Sequence, residues 1–506
     1  MSPTRNSRSA VLMGLMLLVS GCVGNVVRPL PANARNGTPA SLGADVVPAT
    51  QRASVIVVPR ASATNGSAND HQLDPDRDRN PGRDGERDLD RKHDRDLDRK
   101  HDRGLDRKHD RGFDRKHDRG FDRERDRFHD DRFVGVAISG GGLRAANFGA
   151  AVLFQLQRLG WIDRVDYLSA VSGGGFPAAI YYTARDTDWN EPRVRQMLGE
   201  DLTSVFLTGL LVQSPIQLIT DRDRGDLLFD FINRRFFRRD GRTLVFADLR
   251  RDRPRLLLNC ANVANGTRFV ICNESFDQLG GDLASLPIGR AVAASAAHPA
   301  LFSPLTLRDH RAPSKTFLHV ADGGIADNLG VRTLYETYLA HVAQTDASAP
   351  TPYPRGAVLI VIDARVHAEN RVDSEADLSL LRSLFAGLSI SAVSLVSGVS
   401  DATLAEIVSD AAHDHVSIAR VRQRVADLHA VGSTRFTDRT GRDVTLLHLS
   451  LTQLERLDDD EARRLATEAV NIPTDLRISR EHQDICWRAA EIIVRRRVAP
   501  RLEELE

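Results

Sequence analysis

Apolar residues are distributed very unevenly along this chain. A short run, Val11 to Val19, follows Arg5 and Arg8. From Val23 to about Ala68 the chain is mostly Pro, Ala, Asn, Ser, Gly and Thr, with one apolar stretch at Val55 to Val58. An eight-residue unit then recurs at Arg87 to Asp94, Arg95 to Asp102, Arg103 to Asp110 and Arg111 to Asp118, and decays through residues 119–126. Each unit holds one apolar residue (Leu89, Leu97, Leu105, Phe113, Phe121), and a period of eight matches neither helix nor strand. No continuous apolar face can form, and Gly104, Gly112 and Gly120 further disfavour a helix.

At Phe133 the pattern changes to that of a folded domain. Val134 to Ile138 reads as a strand, residues 139–144 as a glycine loop, and Ala145 to Leu159 as a helix stopped by Gly160. Tyr167 to Val171 is a second strand, followed by Ser172-Gly173-Gly174-Gly175 and a helix over Phe176 to Thr183. Further strands are expected at Phe317 to Ala321, at Val358 to Ile362 ending in Asp363, and at Val444 to Leu451. Helical apolar spacing returns at Leu378 to Leu395 and Ile485 to Val494. Strands alternating with helices predict an α/β fold in which residues 373–506 complete the domain that begins at 133.

The 506 residues balance 69 Lys+Arg against 69 Asp+Glu, which gives no support to a nucleic-acid partner. Much of that charge sits in the repeat, so residues 22–132 read as a solvated, disordered linker. Its regular His and Asp could hold a divalent metal only weakly on a chain without fixed geometry, and its interleaved Asp weakens any attraction to anionic lipid. Four cysteines (Cys22, Cys260, Cys272, Cys486) exclude a disulfide framework and have no zinc-site spacing.

Val19-Ser20-Gly21-Cys22, after the basic start and short apolar run, resembles a bacterial lipoprotein signal. The competing reading is an ordinary secretory signal with an incidental Cys. The resemblance implies a signal peptide over 1–21, cleavage before Cys22 and acylation of that cysteine. Each buried methylene contributes about 0.8 kcal/mol, so several chains would hold the protein on a membrane surface. The expected location is the bacterial envelope, at the outer membrane, facing the periplasm or the surface.

The loops carry the candidate chemistry. Gly140, Gly141 and Gly142 can turn sharply and aim N–H groups at a negative oxygen near a helix start. Gly140-x-Gly142-x-x-Ala145 also satisfies a relaxed dinucleotide fingerprint, but Asp163 and Asp166 precede the next strand instead of closing it. Ser172 lies on a strand-to-helix turn as an Ala-x-Ser-x-Gly variant of the nucleophile elbow, whereas an N-cap serine is the plainer reading of such a turn. Asp322-Gly323-Gly324 ends a strand and can reach the carboxyl edge of the same parallel sheet. His298 and His319 leave a triad conceivable, yet neither follows the aspartate on a loop of its own.

Together these loops resemble the patatin-like phospholipases. The likeness extends over Ala291 to Pro304, the Pro254 to Cys272 hairpin with its Asn265-Gly266 turn, and Ile472-Pro-Thr474. It departs from the family pattern at Ala170 and Ala145, both small. The resemblance implies a three-layer α/β/α sandwich with a mostly parallel sheet, Ser172 as nucleophile and Asp322 as its general base. Gly140, Gly141 and Gly142 would form an oxyanion hole, with Arg144, Gly174, Gly323 and Gly324 in support. No cofactor or metal is implied, and the substrate would be a phospholipid or other acyl lipid. Arg234, Arg235, Arg238 and Arg239, interleaved with Phe229, Ile232, Phe236 and Phe237, suit either a lipid-facing channel or a core helix with a solvated face. Against a hydrolase stands a catalytically quiet scaffold that binds lipid or a partner.

Overall fold

A computed structural model of the chain describes residues 131–201, 224–299, 302–311, 316–343, 352–366, 399–409 and 418–506. The segment 1–21, Cys22, the tract to residue 130, and the apolar stretches Val205 to Val212 and Leu378 to Leu395 lie outside the described residues.

The strands are β1 (Phe133–Ile138), β2 (Tyr167–Val171), β3 (Arg238–Arg239), β4 (Arg242–Thr243), β5 (Arg255–Asn262), β6 (Arg268–Ile271), β7 (Leu305–Asp309), β8 (Thr316–Asp322), β9 (Ala357–Asp363), β10 (Ser433–Thr437) and β11 (Asp443–Ser450). All but the small β3/β4 hairpin join one sheet in the order β10-β11-β9-β1-β2-β5-β8-β7, with β6 also on β5. The five strands from β11 to β5 are mutually parallel. Every residue of β1, β2 and β9 is buried, because a parallel sheet is covered on both faces.

Side chains alternate across a strand, so two cores arise. Val134, Val136, Ile138, Val358, Ile360 and Ile362 join helices α1 (Gly142–Arg158), α2 (Gly175–Thr183), α4 (Ile288–Ser295), α7 (Asp460–Ala469) and α8 (Arg480–Ile493) on one face. Phe133, Ala137, Leu359 and Val361 join α5 (Val331–Ala343) and α6 (Ile418–Val431) on the other. This is the expected three-layer α/β/α sandwich. The arginine-rich stretch begins in helix α3 (Arg224–Phe236) and runs into the β3/β4 hairpin. Ile232, Phe236 and Phe237 are buried in the core, while Arg235 pairs with Glu200, Arg234 donates to the Asp230 carbonyl and Arg238 to the Gly241 carbonyl.

β8 does not run parallel with β5; it is antiparallel to it and to β7. Val171 of β2 is in register with Asn259, and Asp322 with the next residue, Cys260. β8 therefore meets β5 at the point where β2 stops. Asp322 still arrives at the carboxyl edge, from the opposite direction.

Candidate active site

The turn after β2 puts Ser172 in the left-handed region at φ 50°, a conformation that costs a non-glycine residue about 1–3 kcal/mol unless its surroundings enforce it. Its N–H donates to Ser295 Oγ at 2.9 Å, and Ser295 Oγ donates in turn to the Asn259 carbonyl at 2.6 Å. Small residues are required around it. A Cβ at Gly173 would lie 2.1 Å from the Gly142 carbonyl oxygen, so the elbow and the glycine loop touch backbone to backbone. Gly174 packs likewise on the Ile138 and Ser139 carbonyls, and Ala170 is wholly buried.

Ser172 Oγ donates to Asp322 Oδ2 at 2.8 Å. The other carboxylate oxygen accepts the Gly324 N–H at 2.8 Å, and the Asp322 N–H donates to the Ala297 carbonyl at 3.0 Å. Gly323 packs against the Asn259 carbonyl, which leaves Asp322 only 7% exposed. Burial raises its pKa above the usual carboxylate value, opposed in turn by the Gly324 N–H, the Ser172 hydroxyl and the charge of His298. The result is a carboxylate of raised basicity in hydrogen-bond contact with a serine hydroxyl.

The glycine loop crosses above this pair. Gly140 N–H is committed to the Asn328 carbonyl at 3.0 Å. Gly141 (φ 140°) and Gly142 (φ 59°) then reverse the chain into α1, and among the described residues no protein acceptor takes their N–H groups. α1 thus starts at Gly142, three residues before the apolar spacing suggests. The Leu143 N–H donates to the Asp475 carbonyl at 2.9 Å, and a Cβ on Gly142 would stand 2.4 Å from that oxygen. Arg144 is buried and donates to the Ala364 and Ile472 carbonyls, both at 2.7 Å, so it braces the loop. Ala145, where the family pattern has glycine, is buried inside α1.

His319 is exposed and bonds Thr306 Oγ1 at 2.9 Å. Among the described residues, neither it nor His298 hydrogen-bonds to Ser172 or Asp322. Likewise, no group of three or more His, Cys, Asp or Glu side chains there could hold a metal ion. Three residues at the site carried no role in the sequence reading: Asn259, Ser295 and Asn328. Ser295 lay in a recognisable segment, Ala291 to Pro304, whereas Asn259 had no signal beyond its strand and Asn328 none beyond following the Asp-Gly-Gly turn.

The site thus joins a strand-end serine to a strand-end aspartate on a helix-covered parallel sheet, beside two backbone N–H groups that no protein acceptor takes among the described residues. Residues 136–335 match the family model described as Patatin-like phospholipase. Among solved structures, human GIVD cytosolic phospholipase A2 is similar at 13% identity and a TM-score of 0.41, over 72% of this chain and 58% of that one. The same human protein in complex with methyl gamma-linolenyl fluorophosphonate matches at 14% identity and a TM-score of 0.39, over 74% and 60%. VipD from Legionella pneumophila matches at 14% identity and a TM-score of 0.25, over 72% and 67%. The chain thus spans about three fifths of the length of the human structures. No curated protein matches it.

Proposed function

We propose that this protein is a serine lipid acyl hydrolase of the phospholipase A or lysophospholipase type, cleaving carboxylic esters of membrane lipids. The observation that carries the reading is the 2.8 Å bond from Ser172 Oγ to a buried Asp322 carboxylate whose basicity burial has raised. Asp322 accepts the hydroxyl proton as Ser172 Oγ attacks the ester carbonyl. The N–H groups of Gly141 and Gly142 receive the oxyanion, where the loss of one donor costs about 2.7–4 kcal/mol in barrier. With Gly140 N–H already given to Asn328, it supports the loop's shape instead of the oxyanion.

Asp322 then returns the proton to the leaving alcohol, and the acyl group stays on Ser172. In the second half-reaction Asp322 deprotonates a water that attacks the acyl-enzyme; the proton ends on Ser172 as the fatty acid leaves. Acylation of Cys22 would hold the enzyme at its lipid substrate in the bacterial envelope. A fluorophosphonate probe should label wild type and not Ser172→Ala, and lipid profiling should show loss of acyl chains only with wild type. A folded wild type that takes no label would sink the hydrolase reading and leave the lipid-binding scaffold.

A further inference from the structure

The last residue of α4 carries a hydroxyl whose two hydrogen bonds run to the elbow and to the strand beside it. We propose that Ser295 is a positioning residue for the nucleophile: it holds Ser172 in its left-handed conformation and removes the Ser172 N–H from the donors available to the oxyanion. The inference rests on Ser172 being the nucleophile.

The direction of these bonds is unambiguous. Ser172 N–H can only donate and the Asn259 carbonyl can only accept, so the Ser295 proton points to Asn259 and its lone pair faces Ser172. Ser295 is fully buried, so no water stands ready to replace it. Among small side chains, only a hydroxyl both donates and accepts strongly here.

The far end of this relay is rigid. Asn259 Nδ2 donates to Ser169 Oγ at 2.8 Å and to the Ala170 carbonyl at 3.0 Å, and its Oδ1 accepts from Thr333 Oγ1 at 2.5 Å. Asn259 is also the residue in register with Val171, and its carbonyl is the surface on which Gly323 packs. The strand therefore locates both Ser172 and the turn after Asp322, and Ser295 transmits that location to the nucleophile. Without the hydroxyl, the buried Asn259 carbonyl and the part-buried Ser172 N–H lose this bond, and Ser172 is released to rotate away from Asp322.

The test measures kcat and KM on a soluble short-chain nitrophenyl ester, together with the second-order rate of fluorophosphonate labelling. Each is normalised to the folded fraction seen by circular dichroism. Ser295→Ala should lower kcat and the labelling rate together by roughly 10–100-fold, with KM within about twofold of wild type. Should that variant fail to fold, Ser295→Cys, close in size and a weak hydrogen bonder, takes its place with a loss in the same direction. Either folded variant labelling within about threefold of wild type, or a defect confined to KM, overturns the inference while wild-type labelling leaves the nucleophile intact. An unlabelled wild type would overturn both readings at once.

Discussion

Asp322 can deprotonate a serine hydroxyl only while it is ionised, and its burial makes ionisation harder. Its folded-state pKa lies above the unfolded value of about 3.9, so kcat/KM should rise with pH along a limb placed above that of an ordinary aspartate. The sign for stability is opposite. A raised folded pKa favours folding while the group is protonated, and that contribution is lost as pH rises through the folded value. Asp322→Asn should therefore lower kcat by roughly 10²–10⁴-fold at neutral pH while keeping the melting temperature at or above wild type. The stability gain should vanish as pH falls toward about 4. A pH–rate profile and paired thermal melts check both halves. At this scale Ser172, Asp322 and the glycines were legible, because an elbow and an Asp-Gly-Gly turn are written in adjacent residues. Ser295 was not: its partners lie 123 and 36 residues away, and nothing in the local sequence distinguishes it from a helix-terminal serine.

Among the elements, β9 carries a polar network beside the glycine loop. Asp363, fully buried, accepts from His448 Nε2 at 3.0 Å and from Arg365 Nε at 2.6 Å, and Arg365 continues to Asp401. Burial pushes the Asp363 carboxyl up, but the Arg365 guanidinium and the His448 ring more than offset it and hold it well below the usual range. Its stability contribution is then present above about pH 3.9 and lost only as pH falls through its lower folded value. Asp363→Ala should cost about 1–3 kcal/mol, because it leaves the buried His448 Nε2 without its partner and takes one of two carboxylates from Arg365, and the cost should stay constant between roughly pH 5 and 8. Urea unfolding at several pH values reads this directly. The strand itself was visible as an apolar run. The direction of β8 was not, since alternation in sequence is the same whichever way a strand runs.

For the whole molecule, the site loops and the C-terminal region are tied together by strand pairing and hydrogen bonds. β11 pairs with β9 over seven residues, from Val444↔Ala357 to Ser450↔Asp363, and α8 holds α1 through Gln483 and Trp487 on Asn147 Oδ1. The Asp475 and Ile472 carbonyls brace the glycine loop itself. A chain ending at residue 372 should show no cooperative thermal transition and take no fluorophosphonate label, whereas deletion of residues 74–130 should leave the rate on a soluble ester unchanged. By itself the sequence determined the α/β class and the three loops, because strand periodicity and glycine turns depend on neighbours along the chain. Only the tertiary structure decided that β8 enters antiparallel, that Gly140 N–H is given to Asn328, and that Ser295 Oγ and the Asp475 carbonyl accept from the Ser172 and Leu143 N–H groups. Those contacts join distant segments through strand register and backbone carbonyls, which carry no side-chain signature.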